Sequence, residues 1–180
     1  AYNEEVNVSE FAAIFRTECK EPDLVSLYPL NPNPPTGTYW LRVALPGHKV
    51  WRTIALSATH TLDHLHLQIQ RAFRFDNDHL YGFYLNPRNP YNGPQYYDPR
   101  TAEGWADGYP AHKTTLGSLN LYEGQPFLYI FDFGDNWQFQ ITVEKHLPDE
   151  ITKTPNVVAQ AGDAPAQYGD EGDEDDDEDW

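Results

Sequence analysis

The chain has 180 residues and a formal net charge of −16 at pH 7, and its length is typical of one domain with a sizeable core. The charge is uneven: residues 37–150 carry 9 Lys/Arg against 12 Asp/Glu, whereas residues 163–180 carry 10 acids and no base. A near-neutral core without clustered Lys and Arg argues against binding to a phosphate backbone. We therefore expect no nucleic-acid partner, and we interpret residues 163–180 as a disordered acidic tail.

The cysteine content and the hydropathy pattern bear on the compartment. Cys19 is the only cysteine, which excludes a disulfide framework and a thiolate metal site. No apolar run approaches the length of a membrane-spanning helix, and the first residues do not resemble a signal peptide. These features predict a cytoplasmic protein that has no membrane partner.

The first 36 residues are interpreted as a flank ahead of the domain. Residues 9–20 predict a short amphipathic helix with Ser9 as its N-cap and Cys19 as a packing residue on its apolar face. The Pro-rich stretch 31–37 follows and predicts a linker. We therefore expect the domain itself to span residues 37–162.

The domain begins with a predicted hairpin, a helix and a further strand. Residues 39–45 and 50–56 are β-rich runs on either side of a Pro-Gly turn. Thr61 is a candidate N-cap for a helix over residues 62–73. The spacing of apolar residues predicts an inward face that comprises Leu62, Leu65, His66, Ile69, Ala72 and Phe73. Residues 79–85 predict the next strand.

The stretch 86–112 loses all periodicity and contains five Pro, three Gly and four Tyr. A loop this long inside a compact domain is usually functional or disordered, and its aromatic content favours an ordered loop. Its aromatic side chains either present a rigid surface to a peptide or protein partner, or fold back over the sheet as core. These candidate binding residues are Tyr91, Tyr96, Tyr97, Trp105 and Tyr109.

The stretch 127–144 predicts a β-hairpin at the centre of the sheet. Its first arm, residues 127–133, is apolar at nearly every position, as in a strand that is covered on both faces. Residues 134–136 tolerate positive φ and predict the turn. The second arm alternates, and its apolar face comprises Trp137, Phe139, Ile141 and Val143. We expect Trp137 to be buried against the helix that carries Leu65 and Ile69.

The predicted elements define the fold class. With a short helical turn at residues 115–121, the order is β-β-α-β, a long loop, a short helix, and β-β. This order predicts an α+β fold in which one main helix packs on a mostly antiparallel sheet, with a β-grasp-like arrangement.

Several of these runs together resemble a known family, which is typed by the third open reading frame of a root-inducing (pRi) Agrobacterium plasmid and is also labelled transposon resolvase-like. The resemblance covers residues 39–168. It is carried by Trp51-Arg52-x-Ile54, Thr61-Leu62-x-x-Leu65-His66-x-x-Ile69-Gln70-x-x-Phe73, His79-Leu80-Tyr81-x-Phe83 and Tyr129-x-Phe131-Asp132-Phe133-Gly134-Asp135-x-Trp137. It implies a setting on plasmids and transposons, but no established activity.

The chain departs from the family pattern at two places. The family commonly has Gly-Trp where this chain has Arg74-Phe75, and it commonly has His at the position of Phe139. The resolvase label finds no support in the residues, because no nucleophilic serine or tyrosine stands among arginines as a recombinase requires.

Acidic and imidazole side chains in these motifs invite a metal or acid–base interpretation. His66, His79 and Asp132 form a candidate metal site if the fold brings them together, although Phe139 removes one further ligand. The structural interpretation makes Asp135 a turn residue, Asp132 an acceptor for backbone or indole N–H groups, and His66 a neutral core residue. The residues assigned to a structural motif are Trp51, Arg52, Asp132, Gly134, Asp135 and Trp137.

The function that these patterns favour is a non-enzymatic interaction domain with a protein or peptide partner and no cofactor. Two alternatives remain open. One is a divalent-metal-dependent enzyme that uses His66, His79 and Asp132, and the other is a DNA-associated accessory protein of a mobile element. Convergence of the three side chains in a pocket would favour the enzyme, and a continuous basic face would favour the DNA partner.

Overall fold

The computed structural model describes residues 33–101 and 108–168. The predicted helix at residues 9–20, Trp105 and the acidic stretch from residue 169 onward lie outside the described residues. Within the described ranges, no helix has the length and apolar character that crossing a bilayer requires.

The described residues form eight strands, one α-helix and two 3-10 turns. The 3-10 turns span Ala111–Lys113 and Leu116–Leu119. The other elements in chain order are β1 (Thr38–Ala44), β2 (Trp51–Ser57), α1 (Leu62–Phe73), β3 (Tyr81–Tyr84), β4 (Gln95–Tyr97), β5 (Tyr109–Pro110), β6 (Pro126–Phe131), β7 (Trp137–Leu147) and β8 (Asn156–Ala161).

All eight strands belong to one sheet in the order β5-β4-β3-β6-β7-β1-β2-β8. Every pair is antiparallel except β4 with β5. The prediction of an α+β fold with one main helix and a mostly antiparallel sheet is confirmed, whereas the β-grasp-like arrangement stays a prediction. The hairpin of β6 and β7 lies at the centre of the sheet, as expected.

Helix α1 begins and ends where its sequence predicts. Thr61 Oγ1 accepts from the His64 backbone N–H at 3.3 Å, and the Thr61 N–H donates to His64 Nδ1 at 3.2 Å, so two otherwise unpaired donors are satisfied. The helix stops because Arg74 adopts the left-handed conformation with φ of 60°. Glycine adopts this conformation without strain, which gives a physical reason for the glycine that the family commonly has here.

The main core lies between α1 and one face of the sheet. Leu65, Ile69 and Phe73 of α1 pack against the inward side chains of β6 and β7, which are fully buried. The opposite face of β6 is also covered, because Leu128 and Ile130 form a smaller cluster with Tyr84. The continuous apolar run of β6 therefore reflects burial on both faces, as predicted.

Two details of the central hairpin differ from the prediction. Trp137 is only half-buried and lies at the end of β7, where its ring packs on Phe75 at 4.9 Å instead of under the middle of α1. In the turn, Asp132 and Asn136 hold the positive φ angles, 54° and 56°, and Gly134 does not. The turn is thus five residues long, and side-chain hydrogen bonding stabilises it.

The expected irregular loop contributes two strands that the sequence analysis missed. Residues 95–97 form β4 against β3, and residues 109–110 form β5 against β4. The strand β8 was also missed, and it closes the other edge of the sheet against β2. Contacts continue beyond residue 162, because Gln167 and Tyr168 hydrogen-bond Asp78.

Candidate functional site

His66 lies at the centre of a buried polar network under α1. Its Nδ1 is 2.7 Å from Tyr129 Oη, and its Nε2 is 2.9 Å from Asn77 Oδ1. Arg100 also donates to Asn77 Oδ1 at 3.5 Å, which supports this orientation of the amide. Because Asn77 Oδ1 can only accept, His66 Nε2 carries the proton and Nδ1 accepts from Tyr129, which in turn accepts from Gln70.

This network leaves His66 without a free lone pair for a metal ion. Burial lowers the pKa of His66 to about 4, and the hydrogen bond to Asn77 opposes this shift only in part. The imidazole is therefore neutral at pH 7, with both of its ring nitrogens hydrogen-bonded. The arrangement matches a core histidine that is satisfied by its neighbours.

His79 and Asp132 meet each other, but they do not meet His66. His79 Nε2 is 3.4 Å from Asp132 Oδ2 and 3.7 Å from Asp78 Oδ2. The Phe131 ring lies between the two imidazoles, with centroid distances of 6.2 Å to His66 and 6.1 Å to His79. Across residues 33–101 and 108–168, no three His, Cys, Asp or Glu side chains are grouped to hold a metal ion.

Asp132 is mainly a turn residue. Its Oδ1 accepts from the backbone N–H groups of Gly134 at 2.9 Å and Asp135 at 3.3 Å, and its carbonyl accepts from Asn136 at 2.6 Å. Asp132 thus accepts hydrogen bonds from backbone N–H groups, which is the role that the structural interpretation gives it. The indole N–H of Trp137 is buried and has no acceptor among the described residues.

Asp98 is a buried charged residue that the sequence analysis missed, and it holds the loop after β4 in place. Asp98 is 2% exposed and pairs with Arg100 at 2.6 Å. Arg100 also donates to the backbone carbonyl of His79 at 2.6 Å. The pair therefore ties the long loop to the segment before β3. An Asp-Pro-Arg sequence directly after a β-rich Gln-Tyr-Tyr run was the available signal for this turn.

The four described aromatic residues of the loop, Tyr91, Tyr96, Tyr97 and Tyr109, do not form one surface. Tyr96 is 8% exposed and belongs to the main core, where it packs near Tyr109 at 5.6 Å. Tyr97 and the exposed Tyr91 lie instead near Tyr84, on the opposite face of the sheet. Because consecutive residues of a strand face opposite sides, Tyr96 and Tyr97 separate.

Arg52 is a buried structural residue. It is 6% exposed, and its guanidinium donates to the carbonyls of Ala72 at 3.1 Å, Ala161 at 2.9 Å and Gly162 at 3.0 Å. It thereby joins the end of α1 to the end of β8 through charge-assisted hydrogen bonds to backbone carbonyls. This contact explains the Trp-Arg motif better than a role in binding.

The neighbouring Trp51 belongs to the outer face of the sheet, away from α1. The Arg42 guanidinium lies 3.8 Å from the centroid of the Trp51 ring and 3.1 Å from Glu144 Oε1. Lys145 lies in the same way over Trp40, at 4.7 Å. These cations cover aromatic rings while their charged ends stay close to water.

A cleft opens at the end of the sheet, between the β1–β2 turn and the β6–β7 turn. Its volume is about 300 Å³, the lower end of the range for small-ligand sites. We call it the turn cleft, and it is lined by Leu45, Pro46, His48, Asp135, Asn136, Trp137 and Gln138. The sequence analysis gave no reason to join residues 45–48 to the Asp-Phe-Gly-Asp-x-Trp motif, because they meet only through the pairing of β1 with β7.

Comparisons with known proteins agree with this fold and its motifs. Residues 38–173 match the family described as plasmid pRiA4b ORF-3-like protein. The uncharacterized protein y4hQ of Sinorhizobium fredii (strain NBRC 101917 / NGR234) is 30% identical over 120 residues, which are 66% of this chain and 58% of that protein. The chain thus spans less than two thirds of the length of this relative.

A solved structure provides a second comparison. The crystal structure of MM3350, a protein of unknown function from Methanosarcina mazei Go1, is similar with a TM-score of 0.58 and 28% identity, over 72% of each chain. The earlier resemblance therefore rests on the fold as well as on the motifs. This chain belongs to the plasmid pRiA4b ORF-3-like protein family.

Proposed function

We propose that this domain is a non-enzymatic binding module, and that a partner protein adds an extended segment to the free edge of β8. The observation that carries this proposal is the position of β8 at the end of the sheet, where, among residues 33–101 and 108–168, it pairs with β2 on one side only. The unpaired backbone N–H and C=O groups of an edge strand are a template for another strand.

The two edges of the sheet differ in what they offer to a partner. The edge strand β5 has two residues, and one of them is Pro110, which lacks a backbone N–H. The edge strand β8 has six residues, Asn156–Ala161, with no charged side chain and no proline. Of the two, only β8 is long enough for a ladder of several hydrogen bonds.

The composition of β8 also favours pairing. Natural edge strands are commonly protected by Lys, Pro or inward-pointing charges, and β8 has none of these. A register shift leaves Val158 without a partner on β2, and Val158 is 39% exposed. This bulge twists the edge and is itself a device that limits pairing with flat strands, so we expect the partner segment to follow the twist.

The contacts of the site give the two alternatives less support. Arg42 lies over Trp51, Arg52 is buried among carbonyls and Arg100 pairs with Asp98, so these cations are committed within the domain. A phosphate backbone requires cations that are free to bind it. For a metal enzyme, the contacts of His66 leave only His79 and Asp132 of the expected set.

We further propose a setting for this binding. The protein acts in the cytoplasm, because the single cysteine of the chain suits a reducing compartment. The family resemblance favours genes carried on plasmids and transposons, where the partner would be another protein of the same element or of its host.

The test uses peptides that are selected on the domain from a random library and followed by amide hydrogen exchange. We expect bound peptides to slow exchange at residues 156–161, because strand addition supplies acceptors for the free β8 N–H groups. Protection confined to residues 91–101, or to the turn cleft with none at β8, would exclude the edge as the binding surface.

A pair of variants makes the test specific. Val158→Lys places a charge on the edge strand and should weaken peptide binding about tenfold. Ile151→Lys introduces the same charge at a side chain that is 78% exposed and lies outside the strands, so it should leave the affinity unchanged. Equal affinities for the two variants would contradict the proposal.

A further inference from the structure

The turn cleft combines a free carboxylate with an aromatic wall. Asp135 is exposed, and its backbone N–H is fixed by Asp132 Oδ1 at 3.3 Å. Its side chain has no hydrogen bond or ion pair among the described residues, whereas Asp132 is used by both the turn and His79. Asp135 is thus the carboxylate of the motif that remains available to a ligand.

The apolar wall of the cleft is packed against the main core. The Trp137 ring packs edge-on against Phe75 at 4.9 Å, and Phe75 packs in turn against Phe139 at 5.9 Å. Leu45 and Pro46 extend this wall on the other side of the cleft. An aliphatic stem can bury its methylene groups here while a polar head reaches Asp135.

The outer face of the same sheet shows what this combination binds. Arg42 lies over the Trp51 ring at 3.8 Å and pairs with Glu144 at 3.1 Å, so a tryptophan and a carboxylate together hold one cation. At the turn cleft a tryptophan and a carboxylate are again neighbours, but no Lys or Arg of the described residues lies over the Trp137 ring. Aromatic rings and carboxylates both attract organic cations.

We propose that the turn cleft binds an ammonium or guanidinium group on an aliphatic stem, as carried by a lysine or arginine side chain of a partner protein. The described lining of the cleft contains the carboxylate of Asp135 and no Lys or Arg, so the local charge favours a cation. The cleft volume of about 300 Å³ accommodates one such side chain. This site is separate from the β8 edge, and it stands whether or not a partner pairs with β8.

The probe for this site is Nα-acetyl-lysine amide, compared with the same compound acetylated at Nε. Titration is followed by the indole N–H resonance of Trp137 in a two-dimensional NMR spectrum, which a Trp137→Phe variant assigns. We expect the charged probe to shift this resonance to saturation and the neutral probe to bind about tenfold more weakly, as for the loss of one charge-assisted hydrogen bond. Equal binding of both probes would overturn the proposal.

A matched pair of variants separates Asp135 from the general charge of the chain. Asp135→Asn should weaken the charged probe about tenfold. Asp149→Asn removes the same charge from another exposed turn and should have no effect. Because the Asp135 side chain has no partner to lose, its variant keeps the fold. Equal effects of the two variants would overturn the site.

n-Butylammonium tests whether the site prefers the side chain of a protein or a free amine. We expect n-butylammonium to bind more weakly than Nα-acetyl-lysine amide, because it lacks the backbone groups that a partner protein would add. Tighter binding of n-butylammonium would overturn the assignment to a protein side chain. Both results are independent of amide protection at β8, so this site and the proposed edge binding can fail separately.

Discussion

The two faces of β7 and of its neighbours β1 and β2 are covered by different kinds of side chain. On the inner face of β7, Phe139, Ile141 and Val143 are buried under α1. On the outer face of the same strand, Gln138 and Gln140 are exposed. Farther along the outer face, on β1 and β2, pairs such as Arg42 with Trp51 cover the sheet.

This difference shows that, within residues 33–101 and 108–168, the two faces of these strands exclude water in different ways. The inner face excludes water through a packed apolar layer, and both ring nitrogens of His66 in that layer are hydrogen-bonded. The outer face buries the flat surfaces and stems of amphipathic side chains while their charged ends remain hydrated. The stability of the inner face therefore depends on how closely its side chains fit together, whereas we expect the outer face to tolerate substitutions better.

The largest expected effect tests the inner face. Phe139 is fully buried, so Phe139→Ala should lower the free energy of unfolding by about 4 kcal/mol through lost burial and a cavity. Trp137 is half-buried at the end of the same strand, so Trp137→Ala should cost about 2 kcal/mol. Denaturant unfolding measures both losses. A larger loss for Trp137→Ala than for Phe139→Ala would contradict the assignment of Phe139 to the core and of Trp137 to its edge.

The next effect tests the polar network of the inner face through pH. The pKa of His66 is about 4 in the folded state, below its usual value of 6.5, so the unfolded chain binds the proton first as the pH falls. Stability should therefore decline from pH 6.5 to pH 4, by about 3 kcal/mol in total. Above pH 6.5 this contribution is fully present.

His66→Gln removes the titrating group and should flatten this pH dependence, even if it lowers stability at pH 7. Burial also lowers the pKa of His60, so His60→Gln serves as a comparison that should retain most of the slope. Denaturant midpoints at pH 7 and pH 4.5 provide the measurement. An unchanged slope in His66→Gln would show that the imidazole does not titrate as its surroundings require.

The smallest effect tests the outer face. Glu144 bonds Arg42 and Thr53, but the Arg42 side chain is 41% exposed, so solvent screens the ion pair. Glu144→Gln should cost less than about 1 kcal/mol, and this cost should shrink in high salt. Phe139→Ala is the salt-independent reference, and a loss of similar size in both variants would mean that the two faces do not differ as described.

The elements with strong periodicity were predictable from the sequence. The bounds of α1 match the predicted range 62–73 because the cap, the apolar face and the stop signal are all local. The central hairpin was predictable for the same reason. In contrast, β4 has three residues and β8 carries a bulge at Val158, so neither contains enough regular alternation to be recognised.

The partners within the site could not be predicted, because they are distant in sequence. Spacing along α1 places His66 on the inner face, but it cannot identify Tyr129 as its hydrogen-bond partner. The two departures from the family pattern also meet in space, since Phe75 packs edge-on against Phe139 at 5.9 Å. Phe75 and Phe139 thus form an apolar pair where the family pattern implies the more polar pair of Trp and His. A comparison of the sequences one position at a time does not show that the two departures are neighbours.

Arg52 has a consequence for the synthesis of the protein. Its guanidinium finds the carbonyls of Ala161 and Gly162 only after nearly the whole domain has been translated. Strand β1 likewise completes its pairing late, since it lies between β2 and β7, and β7 is translated near the end of the domain. Contacts so distant in sequence slow folding. The hairpin of β1 and β2 can form early, but β1 lacks its second neighbour until β7 is translated, so the edge of an apolar strand stays open during synthesis.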